Sequence, residues 1–314
     1  MKYYIGIDGG GTSTKISLAD EKKNIIKQFK AGAFNLNGQS ATQTLATIKQ
    51  IADLLRAEGY EASACEGAGI GAAGISNPEV EPFLSKAFAS EGFLCGIELF
   101  GDHQTAMAAA CPDCHGIILI AGTGSICYGI NESGMEARAG GWGHIIDDRG
   151  SAYAIGRDIL AAVVRAYDGR EAQTALTKAV FDKLGICSLK YDKLKIEEMI
   201  RYIHAPERSK KDIGEFALLL EDAAACRDEA ALRIEKTCAD SLEELLIAVA
   251  FRLPEEKTVV LAGSVLEKNE RIRRHLIKRM EQFEVRTACQ DASEGALRLL
   301  WKRKGESDGQ IFSN

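Results

Sequence analysis

The stretch YYIGIDGGGTSTKISLAD, residues 3–20, joins two strand-like runs through three consecutive glycines. Tyr3–Asp8 and Lys15–Ala19 both predict β-strands, and Ile25–Lys30 predicts a third strand after a tight turn. Because a strand and not a helix follows the glycines, the turn is neither a GxxxxGKS/T loop nor a GxGxxG loop that opens a helix.

The glycine turn has the chemistry of an anion site. Three glycines let the backbone turn sharply and come close to a ligand, and the free N–H groups and hydroxyls of such a turn suit phosphate oxygens. Asp8, at the end of the first strand, suits Mg²⁺ bound through water. Taken alone, the stretch could also be a plain glycine hairpin.

Two later turns of small residues repeat this pattern. Gly122-Thr123-Gly124-Ser125 follows the apolar run Ile117–Ala121 and leads into Ser125–Ile130, which predicts a second strand–turn–strand device. Gly263-Ser264 follows the strand-like run Thr258–Leu261 and precedes a helix, where an adenosine moiety could rest against the backbone. Because the three turns follow one another in this order, we expect the first two to be loops that hold a polyphosphate.

Strands and helices alternate in two rounds, which predicts an α/β protein. The first round continues with predicted helices at Gln39–Glu58, Val80–Ser90 and Gln104–Ala110, and strands at Gly67–Ala72 and Gly96–Phe100. The second round adds a helical stretch over Ser151–Leu253 and helices over Val265–Phe283 and Ser293–Lys302. The polar tail Gly305–Asn314 is expected to fray.

The length of 314 residues fits two domains of about 150 residues each. We expect an N-terminal domain over residues 1–114 and a C-terminal domain with a helical insertion over residues 115–314. The last helix, 293–302, could pack back on the first domain. Because no low-complexity linker separates the two, we expect them to be tightly joined around a cleft.

Composition excludes several classes of protein. Hydrophobic residues make up 46% and charged residues 27%, an ordinary globular balance, and the net charge of −6 gives no sign of a nucleic-acid-binding face. The basic run Lys268–Arg279 is interleaved with apolar residues, which favours a solvated helix face. No apolar run is long enough for a membrane span, and no signal peptide is evident.

The nine cysteines are scattered, and an odd number without a secretion signal predicts reduced thiols and a cytoplasmic location. Cys111 and Cys114 form a CxxC, but a zinc site needs a second pair, so ordinary packing is the favoured interpretation.

The chain resembles the sugar-kinase and actin-like ATPase superfamily, and within it N-acetylglucosamine kinases and the related ATPase family of benzoyl-CoA reductase. The resemblance covers Ile5 to about Leu300. It is carried by Ile7–Thr12, Gly101-Asp102, Ile120–Ser125, Gly140–Tyr153 and Gly263-Ser264-Val265. It implies two ribonuclease-H-like domains, each with a mixed five-stranded sheet and helices, that close around ATP and substrate.

Asp102 is the residue that we expect to carry the chemistry. It follows a predicted strand end, where open α/β sheets place their ligands, and a sugar kinase needs a carboxylate to take the hydroxyl proton. The resemblance implies that Asp102 is this general base, acting on the 6-hydroxyl of the sugar. The alternative is a helix N-cap, and both roles could hold together.

The resemblance also implies contacts for other residues. The expected sugar contacts, besides Asp102, are Asn35, Leu36, Gly141, Trp142 and Asp148. The expected nucleotide contacts are Gly10, Gly11, Thr12, Lys15, Thr123, Gly124, Ser125, Gly263 and Ser264, with Asp8 positioning Mg²⁺ through water. For Asn35 a simple turn residue, for Trp142 a core residue, and for Asp148 a solvated loop charge remain the alternatives.

Arg149 departs from the family, which often has Asp-Glu-Gly-Ser where this chain has Asp148-Arg149-Gly150-Ser151. Arg149 could point to solvent, which is the favoured interpretation, or pair with Asp147 or Asp148. It could also grip a substrate carboxylate, which N-acetylmuramic acid has and N-acetylglucosamine lacks.

These observations predict an ATP- and Mg²⁺-dependent kinase of an N-acetylated amino sugar, with N-acetylglucosamine favoured over N-acetylmuramic acid. The alternative is an ATPase of the benzoyl-CoA reductase or dehydratase-activator type, although the spacing of Cys111 and Cys114 does not look like that of its cluster ligands. We expect a small-molecule sugar as the partner, a homodimer, and neither nucleic acid nor a membrane.

Overall fold

The computed structural model describes residues 1–36, 39–75, 77–111, 113–287 and 291–311. The chain divides into two compact units. The first consists of Met1–Gly116 together with the C-terminal segment Ala288–Asn314, and the second is Ile117–Thr287. The sequence analysis instead assigned all of residues 115–314 to the second domain and only considered that helix 293–302 could pack back.

The first unit is built on a five-stranded sheet in the order β3-β2-β1-β4-β5. Its strands are β1 (Tyr3–Gly9), β2 (Thr14–Asp20), β3 (Ile25–Ala31), β4 (Cys65–Ala72) and β5 (Ile97–Phe100). β2 runs antiparallel to both of its neighbours, β1 and β3, whereas β1, β4 and β5 run parallel. Its first helices are α1 (Ala41–Ala57), α2 (Val80–Ser90) and α3 (Asp102–Ala110).

The last helix, α12 (Ala292–Ile311), completes the first unit. It packs on β1 and β4 so closely that a Cβ at Gly6 would lie 2.0 Å from the backbone oxygen of Ser293. The helix is assigned as far as Ile311, residues 312–314 lie outside the described part, and the expectation that the tail from Gly305 frays stays a prediction.

The second unit repeats the sheet order of the first. Its strands are β6 (Gly116–Ala121), β7 (Ser125–Ile130), β8 (Glu136–Gly140), β9 (Thr258–Ala262) and β10 (Glu284–Thr287). The order β8-β7-β6-β9-β10 corresponds strand for strand to β3-β2-β1-β4-β5. The prediction of two mixed five-stranded sheets in an α/β chain is therefore confirmed.

Helices of the second unit cover its sheet. They are α4 (Ala152–Tyr167), α5 (Ala175–Leu184), α6 (Asp192–Ile203), α7 (Lys210–Gly214), α8 (Leu220–Ala225), α9 (Glu229–Arg252), α10 (Ser264–Lys268) and α11 (Glu270–Ile277). A 3₁₀ turn, Glu215–Leu219, joins α7 to α8. The single helix predicted over Val265–Phe283 is wrong: Asn269 ends α10 and caps α11 by accepting the Ile272 N–H at 2.9 Å.

Each unit has its own apolar core. In the first, Ile5, Ile7 and Ile70 of the sheet pack with buried residues of α1 and α2. In the second, Leu119 and Leu261 pack with buried residues of α4 and α9. Within the described residues, no helix has both the length and the apolarity that crossing a bilayer requires.

Candidate functional site

The first glycine turn is an open loop between β1 and β2. The Gly10 N–H donates to the backbone oxygen of Ser13 at 3.2 Å, and the Gly10 oxygen accepts the Phe34 N–H at 2.9 Å. Gly11 and Thr12 are exposed. The loop therefore offers N–H groups and a hydroxyl on a backbone anchored at its first glycine, which suits phosphate oxygens.

Three carboxylates and one ammonium lie around this loop in the first unit. Asp8 is the penultimate residue of β1, Asp102 begins α3 and Asp291 immediately precedes α12. The carboxylates of Asp102 and Asp291 both disfavour ionisation of Asp8. Lys15 is paired with Asp8 in the β1–β2 register, but its Nζ lies 3.1 Å from Oδ2 of Asp291. The group carries a formal excess of two negative charges, which fits a divalent cation.

Asp8 is held where its ionised form is disfavoured. Burial, with repulsion from Asp291 and Asp102, raises the pKa of Asp8 to about 6, and the attraction of Lys15 lowers it only in part. A cation at this position would relieve the same electrostatic cost.

The arrangement fits Mg²⁺ held through water. No group of three or more His, Cys, Asp or Glu side chains in the described parts of the chain is spaced to hold a metal ion directly. Mg²⁺ commonly keeps several waters and takes one or two carboxylates with substrate phosphates. Asp8 therefore fits as the residue that would orient a hydrated Mg²⁺, and this role stays a prediction.

Asp102 lies at the carboxyl end of β5, and its side chain is 57% exposed. Burial acts to raise the pKa of Asp102, but the His103 ring and the His103 N–H, which donates to Oδ1 at 2.9 Å, hold that pKa below its usual range. The carboxylate is thus ionised at neutral pH and open to a proton donor. Gly101 is the N-cap of α3, so the alternative of Asp102 as the N-cap is wrong.

Asn35 and Leu36 lie on the segment that follows β3. The Asn35 amide nitrogen lies 3.6 Å from the position that a Cβ at Gly11 would take, so Asn35 is next to the first loop. Gln39 steadies this segment, because its side chain accepts the Asn35 N–H at 2.8 Å and donates to the Ala33 oxygen. Leu36 is half-buried against the core of the first unit.

The second loop, Gly122–Ser125, joins β6 to β7 in the second unit and is held by Asp148. The Asp148 carboxylate is 3% exposed and accepts the Ser125 N–H at 3.4 Å. A Cβ at Gly124 would lie 2.9 Å from Oδ2 of Asp148, so only glycine leaves room for this contact. The interpretation of Asp148 as a solvated charge is wrong, and its contact with sugar stays a prediction.

Thr123 lines a cavity of about 480 Å³ within the second unit, in the size range of small-ligand sites. Ser264 also lines it, and Gly263 makes room beside Ala121, because a Cβ at Gly263 would lie 2.5 Å from the Ala121 oxygen. The individual residues of the rest of the lining, which come from several helices, were not identified from the sequence. These residues are Ala152, Ile155, Lys211, Gly214, Glu215, Ala217, Leu218, Glu221, Val265, Lys268 and Asn269.

Gly141 and Trp142 follow β8. Trp142 is 64% exposed, so the alternative of a core residue is wrong. Arg138 steadies the pair: its Nη2 donates to the Gly141 oxygen at 2.7 Å, and its guanidinium lies 4.3 Å from the centre of the indole ring. The exposed indole offers an apolar wall on a constrained backbone.

Arg149 is exposed, and in the portion of the chain that the structure describes it makes no ion pair. Pairing with Asp147 or Asp148 is therefore not observed. Its side chain lines a smaller cavity of about 170 Å³, whose walls include Arg157, Asp158 and Thr237.

Of the nine cysteines, Cys289 lies outside the described residues, and the other eight form no disulfide within the described part of the chain. Cys111 and Cys114 are both buried, and the Cys114 N–H donates to the Cys111 oxygen at 2.9 Å.

Comparison with known proteins gives a consistent result. The model of the BadF/BadG/BcrA/BcrD ATPase family matches residues 5–297. An N-acetylmuramic acid/N-acetylglucosamine kinase from Clostridium acetobutylicum is 33% identical over 85% of this chain and 86% of its own length. An N-acetyl-D-glucosamine kinase from Dictyostelium discoideum is 27% identical over 96% and 98% of the two chains.

A solved structure agrees with these relatives. The chain is similar, with a TM-score of 0.76 and 25% identity, to a Chromobacterium violaceum protein assigned as an N-acetylglucosamine kinase. The match covers 96% of this chain and 99% of that chain.

The raised pKa of Asp8 predicts a pH-dependent gain in stability for Asp8→Asn in the metal-free protein. Since the pKa is higher in the folded than in the unfolded chain, the native protein loses stability as pH rises from about 4 to 6, and the variant does not. The difference in free energy of unfolding should grow by about 2–3 kcal/mol between pH 4 and 7. Urea unfolding with EDTA at both pH values measures it, and a constant difference would contradict the prediction.

Proposed function

Because the chain belongs to the BadF/BadG/BcrA/BcrD ATPase family, we propose that it is an ATP-dependent kinase of the 6-hydroxyl of an N-acetylated amino sugar. N-Acetylglucosamine is the proposed substrate and N-acetylmuramic acid the alternative, in line with the names of the relatives. The observation that carries the proposal is an ionised, exposed Asp102 in the same charged group as Asp8, beside an open glycine loop.

Asp102 acts as the general base. Its carboxylate takes the proton of the 6-hydroxyl while the sugar oxygen bonds to the terminal phosphorus and the bond from that phosphorus to ADP breaks. The hydrogen bond from the His103 N–H keeps the carboxylate ionised and oriented. Asn35 and Leu36 contact the sugar from the segment after β3, and Gly141, Trp142 and Asp148 contribute from the second unit.

The two loops hold the phosphates. In the first loop the phosphate contacts come from Gly10, Gly11, Thr12 and Lys15. In the second loop they come from Thr123, Gly124 and Ser125. Asp8 orients hydrated Mg²⁺, which when bound neutralises charge on the phosphates. Adenosine occupies the cavity that Ser264 lines, beside Gly263. We further propose a cytoplasmic homodimer.

Replacing the base tests the kinase directly. Asp102→Asn should lower turnover about 10²- to 10⁴-fold, because the amide cannot accept the hydroxyl proton. The assay is ADP release coupled to NADH oxidation, with Mg²⁺-ATP and N-acetylglucosamine, N-acetylmuramic acid, N-acetylmannosamine, glucosamine or glucose. Asp53→Asn, an exposed carboxylate of α1, serves as the matched control. Hydrolysis indifferent to every sugar and to the Asp102 change would favour the ATPase alternative instead.

The nucleotide cavity can be tested separately. Leu218 lines it and is 60% exposed, so Leu218→Asp should fold normally but place a negative charge where adenosine is proposed to bind. We expect the Kd for ATP to rise roughly 10-fold or more, with the Kd for sugar unchanged, by calorimetry. Leu94→Asp, an exposed leucine of the first unit, is the control, and equal effects of both changes would refute the assignment.

Arg149 tests which amino sugar is preferred. If the guanidinium grips the lactyl carboxylate of N-acetylmuramic acid, Arg149→Glu should lower kcat/KM for that sugar relative to N-acetylglucosamine by about 10-fold or more. Arg157→Glu, which lies on the same small cavity but is paired with Asp158, should leave the ratio unchanged. An unaltered ratio in Arg149→Glu would rule out this grip.

A further inference from the structure

Asp291 is a carboxylate of the first unit to which the sequence analysis gave no role. Its Oδ1 accepts the Ser293 N–H at 3.1 Å and the Ser293 hydroxyl at 2.9 Å, and so caps α12. Its Oδ2 lies 3.1 Å from Nζ of Lys15, and its side chain is only 19% exposed. Oδ1 of Asp291 therefore caps the helix, whereas Oδ2 pairs with the ammonium of Lys15.

The placement of Lys15 makes this contact informative. Lys15 on β2 is directly opposite Asp8 on β1, and side chains of directly opposite residues lie on the same face of a sheet. An ammonium and a carboxylate in this relation are natural partners across two strands. In the structure the ion pair of Lys15 is nevertheless made with Asp291.

A chain of hydrogen bonds fixes Asp291 in place. The Gln28 amide donates to the Ser17 hydroxyl at 3.1 Å, and the hydroxyls of Ser17 and Ser293 lie 2.7 Å apart in a buried contact. Since the Ser293 hydroxyl donates to Asp291, the Ser17 hydroxyl donates to Ser293. The carboxylate is thus supported from β3 through β2 and cannot easily turn away from Lys15.

We propose that Asp291 is a positioning residue that holds the Lys15 ammonium away from Asp8 and thereby leaves Asp8 available to a divalent cation. Without the charge of Asp291, Lys15 turns to its cross-strand neighbour and neutralises Asp8. The inference rests on the proposed function in one respect, the assignment of Asp8 to Mg²⁺.

The test is Asp291→Asn, because asparagine caps a helix as well as aspartate does and so preserves the fold. With Mn²⁺ as the probe and ADP present, paramagnetic resonance should show a Kd for the metal raised about 10-fold. In the double variant Asp291→Asn/Lys15→Met, the Kd for Mn²⁺ should lie within about 3-fold of the Kd for Mn²⁺ measured in Lys15→Met alone. Glu294→Gln, an acidic side chain of the same helix turn that bonds to Gln28, should leave the Kd unchanged.

A second measurement needs no metal. Thermal unfolding in EDTA of Asp8→Asn, Lys15→Met and their combination should show stronger coupling between the two residues in the Asp291→Asn background than in the native one. An unchanged Kd for Mn²⁺ in Asp291→Asn, or a loss that Lys15→Met does not relieve, would overturn the proposal. Because neither measurement uses sugar, absence of kinase turnover in the native protein would contradict the proposed function and leave this result interpretable.

Discussion

Burial of the Asp8 carboxylate near the end of β1, together with repulsion from the carboxylates of Asp291 and Asp102, is the electrostatic constraint on which the candidate site of the first unit depends. Among the residues that the structure describes, the ammonium of Lys15 acts on Asp8 in the opposite sense, and Lys15 is itself paired with Asp291. A cation bound beside Asp8 would relieve this electrostatic cost.

The second unit repeats the strand order of the first, but the carboxylate next to its loop has a different role. There, a buried carboxylate serves the loop itself, because Asp148 accepts the Ser125 N–H and fits against Gly124. The first unit thus concentrates charge, whereas the second pairs a braced loop with a cavity of about 480 Å³.

Local patterning predicted most of the elements, because apolar runs ending in glycine turns mark buried strands. Ser125–Ile130 and Val80–Ser90 have the predicted bounds. Two short strands, Glu136–Gly140 and Glu284–Thr287, were not predicted. Strand Glu284–Thr287 has no buried residue, so its sequence shows no alternation of apolar and polar residues. It is a strand because it pairs with β9. The break at Asn269 depends on one side chain that caps the next helix, which apolar spacing does not reveal.

The sequence by itself determined the α/β class, the two glycine loops and the candidate base, because these depend on residue types within short segments. The tertiary structure alone decided which distant groups share a site. It brings α12 onto β1, and with it Asp291 to Lys15, although 276 positions separate the neighbouring Ser17 and Ser293 along the chain. It also assembled the cavity of about 480 Å³ from α4, the Lys211–Glu221 segment and α10, because helix packing, and not local pattern, brings those residues together.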